Sequence, residues 1–175
     1  MNSRQVALQH IFNSLTMAAH YHGLQKRKSD GMPYLCHLIE VADLLINVAN
    51  VVNKDEISAA ILHDIIEDTG ISLENLEGQV SAKALSIITF LTEDKMLSLE
   101  HRRIEVVIKL KSASDAIKRV KLADVCSNVS QIPEGWDKTR LTDYYKYTDQ
   151  IAEACKSGCV ALFNEYMKRR STIDC

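Results

Sequence analysis

Ala59-Ala60-Ile61-Leu62-His63-Asp64-Ile65-Ile66-Glu67-Asp68-Thr69 is the stretch that decides how this chain is read. It has the apolar spacing of a buried helix, yet it carries four ionisable side chains within six positions. On a wheel of about 3.6 residues per turn with His63 at the origin, Glu67, Asp64 and Asp68 fall at about 40°, 100° and 140°. Ile65, Leu62, Ile66 and Ala59 then occupy roughly 200–320°. One face is apolar, and the other is a histidine with three carboxylates. No Lys or Arg stands between Asp55 and Gly70 to balance them. Acids this close repel unless a cation or protons neutralise them. One divalent metal ion accounts for the face and requires further ligands from elsewhere in the chain.

Two candidates stand outward from this stretch. His37 shares a helical face with Val41, Leu44 and Leu45 and so points at the core. Asp124, in Lys121-Leu-Ala-Asp124-Val-Cys-Ser-Asn128, lies between Ile117 and Val120 on one side and Asn128 on the next turn. Alone, His37 reads as a satisfied core histidine, and Asp124 as a cap or a salt bridge with Lys121. Together the two histidines and two aspartates sit on three mostly buried helices, and buried carboxylates need partners that a metal supplies at once.

The rest of the chain is a frame for that set. With 175 residues, 46% apolar and 25% charged, it has the size and composition of one globular domain spanning 1–175. A net charge of −2 gives no general attraction to nucleic acid or membrane. No apolar stretch is long enough to span a bilayer and no leader pattern opens the chain, so the expected compartment is cytoplasmic. The five cysteines, Cys36, Cys126, Cys155, Cys159 and Cys175, are odd in number and irregular in spacing, which predicts reduced thiols. Cys155 and Cys159 are one helical turn apart without a second pair nearby, so partly buried thiols fit better than zinc.

Only six Gly and two Pro punctuate the chain, and strand-like alternation is hard to find. The periodicity predicts helices over about Arg4–Tyr21, His37–Val52, a central helix from Asn53 to Gly70, and a short one near Leu73–Glu77. Others follow over Ser81–Leu91, around Arg102–Leu110, over Ala116–Asn128 and Lys138–Lys156, and to about Arg169 at the end. Asn53-Lys-Asp-Glu56 reads as a capping box. Gly23 to Pro33 is a basic loop. The expected fold is therefore all-α, a compact helical bundle of about eight or nine helices.

His37, the His63-Asp64 pair and Asp124 form the H…HD…D pattern of HD-domain metal-dependent phosphohydrolases. Four segments resemble more narrowly the hydrolase domain of the RelA/SpoT family. These are His22-Gly-Leu-Gln25-Lys-Arg27-Lys28, Gly31-Met-Pro33-Tyr34-Leu-Cys-His37, Leu62-His-Asp-Ile-Ile-Glu-Asp-Thr69 and Lys121-Leu-Ala-Asp124. Lys95, and Trp136 with Arg140 and Tyr144, extend the likeness to the stand-alone small alarmone hydrolases, a group that includes the metazoan SpoT homologue.

The resemblance implies an HD fold that uses Mn²⁺, one divalent ion, to remove the 3′-pyrophosphate of ppGpp or pppGpp, the alarmone of the stringent response. The chain is too short for the synthetase and regulatory regions of the long members. By the same resemblance His37, His63, Asp64 and Asp124 are metal ligands, and Glu67 and Asp68 the catalytic acidic pair. Arg27, Lys28, Tyr34, Lys95, Asn128 and Tyr144 contact the nucleotide. An arginine can stack on a purine as lysine cannot. Arg102, Arg103, Lys109 and Lys111 form either a basic lid or a plain amphipathic surface.

Two positions depart from the family pattern. Leu38 stands where proline commonly follows the first metal histidine. Val125 stands where a basic residue often follows the metal aspartate, which implies weaker phosphate contact or an altered nucleotide choice. The expected partner is a small nucleotide, not nucleic acid or a membrane, with the oligomeric state open. Two other readings stand beside the first: an HD phosphohydrolase acting on another phosphorylated nucleotide such as pppApp or NADPH, and a non-catalytic nucleotide-binding regulator. Glu67 and Asp68 argue against the last, since a binding module needs no general base.

Overall fold

The computed structural model describes residues 2–172, so Cys175 lies outside the described residues. Among them ten α-helices run in the order α1 (Ser3–His22), α2 (Tyr34–Asn47), α3 (Lys54–Leu62), α4 (Ile65–Thr69), α5 (Leu73–Leu76), α6 (Ala82–Leu91), α7 (Leu99–Lys111), α8 (Asp115–Val129), α9 (Lys138–Cys155) and α10 (Val160–Ser171). A 3-10 turn at Lys156–Gly158 joins the last two. An isolated bridge between Lys26 and Pro33 is the only β feature among the described residues. The all-α class is as the sequence predicts, and counting α3 and α4 as one broken helix leaves nine.

Most starts are written in the sequence. The side chains of Asn2, Asn53, Ser72, Ser81, Ser98, Ser114 and Asp137 each accept a backbone N–H from the first turn of the helix they precede. Such a cap contributes about 1 kcal/mol. Helix α3 is the hub. Every residue from Glu56 to Leu62 is buried, and the helix packs on α1, α2, α6 and α8. Helix α8 is the second axis, against α2, α3, α6, α9 and α10. The start of α2, the end of α3 and the middle of α8 therefore meet inside the bundle.

Three expectations are corrected. The central helix is not continuous: α3 ends at Leu62, His63 and Asp64 form a turn, and α4 restarts at Ile65. The His63 ring explains the break, because its Nδ1 bonds the Ala60 carbonyl at 2.8 Å. In an unbroken helix that carbonyl would serve the Asp64 N–H. Helix α2 begins at Tyr34, directly after Pro33, and ends at Asn47, with Asn50 at φ +54° turning the chain. The capping box at Asn53 is half formed. Asn53 caps, but Glu56 turns inward to a two-pronged pair with Arg119, at 2.9 and 3.0 Å. A complete box lies instead at Asn2 and Gln5.

Cys126 and Cys155 are buried, Cys159 half-buried and Cys36 exposed, all as free thiols. No helix among the described residues is long and apolar enough to cross a membrane.

Candidate metal centre and active site

His37 lies in the first turn of α2, where Pro33 starts the helix, and it is 1% exposed. Its Nδ1 stands 2.9 Å from Ser127 Oγ, and the Ser127 hydroxyl donates to Glu40 Oε2 at 2.6 Å. With its own proton directed at Glu40, Ser127 accepts from His37, so the His37 proton sits on Nδ1. His63 likewise gives its Nδ1 proton to the Ala60 carbonyl. Both rings thus turn Nε2, buried and without a hydrogen-bond partner, toward one point, where it can carry a metal ion or, on His63, a proton in its place. A buried polar atom without a partner is costly, and metal-ligating histidines are held by this kind of bond at the other nitrogen.

Carboxylates face those two atoms. Asp124 Oδ1 is 3.4 Å from His37 Nε2 and 3.6 Å from His63 Nε2. Ligand atoms of His37, His63 and Asp124 all lie within 4.8 Å of one another, which is a metal-sized arrangement of two imidazoles and a carboxylate. Asp64 Oδ2 is 3.0 Å from His63 Nε2 and 3.8 Å from His37 Nε2, and accepts the Tyr34 hydroxyl at 2.5 Å.

The electrostatics call for a cation. Burial alone would drive the His63 proton off, but the adjacent Asp64 and Asp124 hold its pKa well above the ordinary histidine value. Burial would raise Asp124, yet Lys121 and then the two histidines keep it well below the usual carboxylate range. Asp64 is held low against burial chiefly by His63. A positive charge belongs at the point where these groups meet, as a proton or as a metal ion. The expected salt bridge is present, since Asp124 Oδ2 accepts Lys121 Nζ at 2.9 Å, while Oδ1 faces the imidazoles.

The acidic pair stands on α4. Burial, then the charges of Asp64 and Glu93, raises the Glu67 pKa. Asp68 Oδ2 accepts the Gln25 amide at 3.1 Å. Lys95 bridges the two acids, 3.8 Å from Glu67 and 3.7 Å from Asp68, and also donates to the Glu67 carbonyl.

A pocket of about 370 Å³ opens beside the centre. Its lining includes Arg27, Lys28, Tyr34, Asp68, Asn128 and Tyr144. Tyr34 and Asp68 link it to the centre, as does Asn128, whose amide donates to Asp124 Oδ1 at 2.6 Å. Burial keeps the Tyr34 and Tyr144 hydroxyls protonated at neutral pH. Trp136 stands edge-on to Tyr144, and Arg140 lies 4.3 Å over the Trp136 ring.

Of the residues expected to touch a nucleotide, five line this pocket, and Lys95 stands apart on the acidic pair. Arg27 is engaged behind the metal centre. Its guanidinium donates to Glu40 and to the Ser127 carbonyl, both at 3.4 Å.

Sequence reading missed Glu40 and Ser127. The available signal was spacing, since each lies three residues after a metal-site residue and so on the same helical face. Gln25, Gln131, Ile132 and Pro133 were also unassigned as pocket residues. Three of the four basic residues named on α7 are tied down: Arg102 pairs with Glu93, Arg103 lies over Tyr147 and Lys109 over Phe90. Leu38 and Val125 are both core residues, and neither reaches the pocket.

Residues 14–151 match the HD domain family. The chain is 31% identical over 167 residues to guanosine-3′,5′-bis(diphosphate) 3′-pyrophosphohydrolase MESH1 of Danio rerio, covering 93% of this chain and 92% of that protein. The Homo sapiens protein of the same name is 33% identical over 149 residues, 82% of this chain and 83% of that one. The solved structure of a metazoan ortholog of SpoT, described as hydrolysing ppGpp, superposes with a TM-score of 0.87 at 26% identity, covering 93% and 94% of the two chains. The paired imidazoles, the HD turn and the full-length likeness agree: the chain belongs to the HD-domain family, in the group of the MESH1 proteins.

Proposed function

We propose that this chain is a metal-dependent pyrophosphohydrolase that removes the 3′-pyrophosphate from ppGpp or pppGpp, leaving GDP or GTP. The observation that carries the reading is one continuous surface. The two bare imidazole nitrogens and Asp124, the acidic pair of α4, and a pocket with the basic Arg27-Lys28 loop are joined through Tyr34, Asp68 and Asn128. Likeness to the MESH1 proteins across 93% of the chain supports this substrate class.

His37, His63 and Asp124, with Asp64 beside them, would hold the ion, and this N/O donor set suits Mn²⁺. A bound divalent ion supplies Lewis acidity at a phosphoryl oxygen and lowers the pKa of water. The chain's own groups do the rest. Glu67, with its raised pKa, takes a proton from the attacking water. The water oxygen bonds to the phosphorus on the ribose 3′ oxygen, that P–O bond breaks to release pyrophosphate, and the 3′ oxygen takes up a proton from solvent to leave as a hydroxyl. Asp68, held by Gln25 and Lys95, orients the water. Lys28, Asn128 and Tyr144 hold the nucleotide, and the buried Arg27 presents its edge to the same pocket. The 175 residues act as one domain, and the free thiols suit a reducing, cytoplasmic setting.

Purified protein stripped of metal, then reloaded with Mn²⁺, Mg²⁺ or Zn²⁺, is offered ppGpp, pppGpp, pppApp and NADPH, and the products are identified. The reading expects pyrophosphate with GDP from ppGpp, and the highest rate with Mn²⁺. Orthophosphate from NADPH alone would assign another substrate. Tight nucleotide binding without turnover would make the chain a regulator.

A further inference from the structure

His22 is 4% exposed at the last position of α1, and none of the functional assignments made so far includes it. Its Nδ1 stands 2.8 Å from Gln25 Oε1, and Gln25 Nε2 donates to Asp68 Oδ2 at 3.1 Å. A carboxamide donates only from its nitrogen and accepts only at its oxygen. With the Asp68 carboxylate accepting at one end, the Gln25 oxygen faces His22, and the His22 proton sits on Nδ1. The ring is stacked on Tyr34, centroids 5.1 Å apart at 25°, and Tyr34 donates to Asp64.

The backbone fixes the reach of this chain of bonds. Gly23 at φ +46° turns the chain out of α1, Gln25 N–H bonds the His22 carbonyl at 2.7 Å, and Tyr34 N–H bonds the Gln25 carbonyl at 2.8 Å.

We propose that His22 is a positioning residue that sets the orientation of the Gln25 amide, which in turn fixes the rotamer of Asp68. This rests on the reading of Asp68 as part of the acidic pair. With the amide reversed, the Gln25 oxygen would face the Asp68 carboxylate, acceptor against acceptor, and Asp68 would swing away. His22 itself touches no substrate.

Two substitutions separate the bond from the packing. His22→Phe keeps a flat ring against Tyr34 and removes the donor. His22→Asn loses the ring and keeps an N–H where Nδ1 stood. The expected result is a kcat about tenfold lower for His22→Phe with KM and metal content unchanged, and recovery of most of that loss in His22→Asn. Gln25→Met, which leaves α1 intact, falls as far as His22→Phe. In an Asp68→Asn background, His22→Phe has no further effect.

Unchanged kcat in His22→Phe or Gln25→Met overturns the proposal, as does an equal loss in His22→Phe and His22→Asn. A readout independent of turnover is the ¹⁵N spectrum of the His22 ring in protein loaded with diamagnetic Mg²⁺ or Zn²⁺. Protonated Nδ1 with bare Nε2 is expected, and the opposite tautomer overturns the relay whatever the substrate proves to be. Failure of the substrate panel with this tautomer present would count against the proposed reaction alone.

Discussion

His37 and His63 each commit Nδ1 to the protein and leave Nε2 for a ligand, but they do so by different means. His63 uses the backbone, through the Ala60 carbonyl, whereas His37 depends on Ser127, whose hydroxyl is itself oriented by Glu40. The His37 arrangement can be removed with one atom. Ser127→Ala should weaken metal affinity about 10–100-fold, the range seen for partners behind a metal ligand, while leaving the protein folded. Competition with a chelator measures it. Glu67→Gln separates chemistry from binding: turnover should fall about 10²–10⁴-fold with metal content unchanged by elemental analysis. Asp64→Ala should remove metal and activity together, and full activity in that variant would sink the ligand assignment.

Among elements, the α3–α4 break shows what periodicity can and cannot reveal. The wheel over Ala59–Thr69 correctly separates an ionisable face from an apolar one, and Ile65, Leu62 and Ala59 are fully buried. It misses the break because the cause is a side-chain bond to a carbonyl within the same helix, which leaves the hydrophobic pattern intact. The triad was legible only as a set: His37 and Asp124 each have a bland reading alone, and it is beside His63 and Asp64 that one shared cation satisfies them together. The pocket was only partly so, because Gln131, Ile132 and Pro133 follow α8 in a loop that no periodicity governs.

The 3-10 turn against α8 gives a test at this scale. A Cβ at Gly158 would lie 2.6 Å from Lys118 Cβ and 3.2 Å from the Asp115 carbonyl. Gly158→Ala should therefore cost about 1–3 kcal/mol, read from the urea midpoint, by pushing the turn off its helix.

For the whole molecule, three helices begin around one cavity of about 380 Å³, lined by Asn53 before α3, Ala82 of α6 and Ser114 before α8. Helix starts carry partial positive charge, and Asp55 and Glu56 line the same cavity. Burial would raise Asp55, but bonds from Lys54 Nζ at 2.6 Å and Ser81 Oγ at 2.7 Å hold it below its ordinary value of 3.8. A carboxyl more acidic when folded stabilises the fold above its unfolded value, and that stability is lost as pH falls through the folded one. Asp55→Asn should thus lower the melting temperature at pH 7 and flatten its decline below about pH 4.

The metal centre is assembled from distant parts of the chain, with His37 bonded to a serine 90 positions later. During synthesis both imidazoles leave the ribosome well before Asp124 and Ser127 exist to orient or balance them. A chain arrested before α8 holds two histidines and no centre. An ion held by His37, His63 and Asp124 would therefore load late in folding and close a long loop that is entropically costly to form. Refolding in the presence of the ion should gain helix before it takes up metal, so helical signal and metal uptake will part in time.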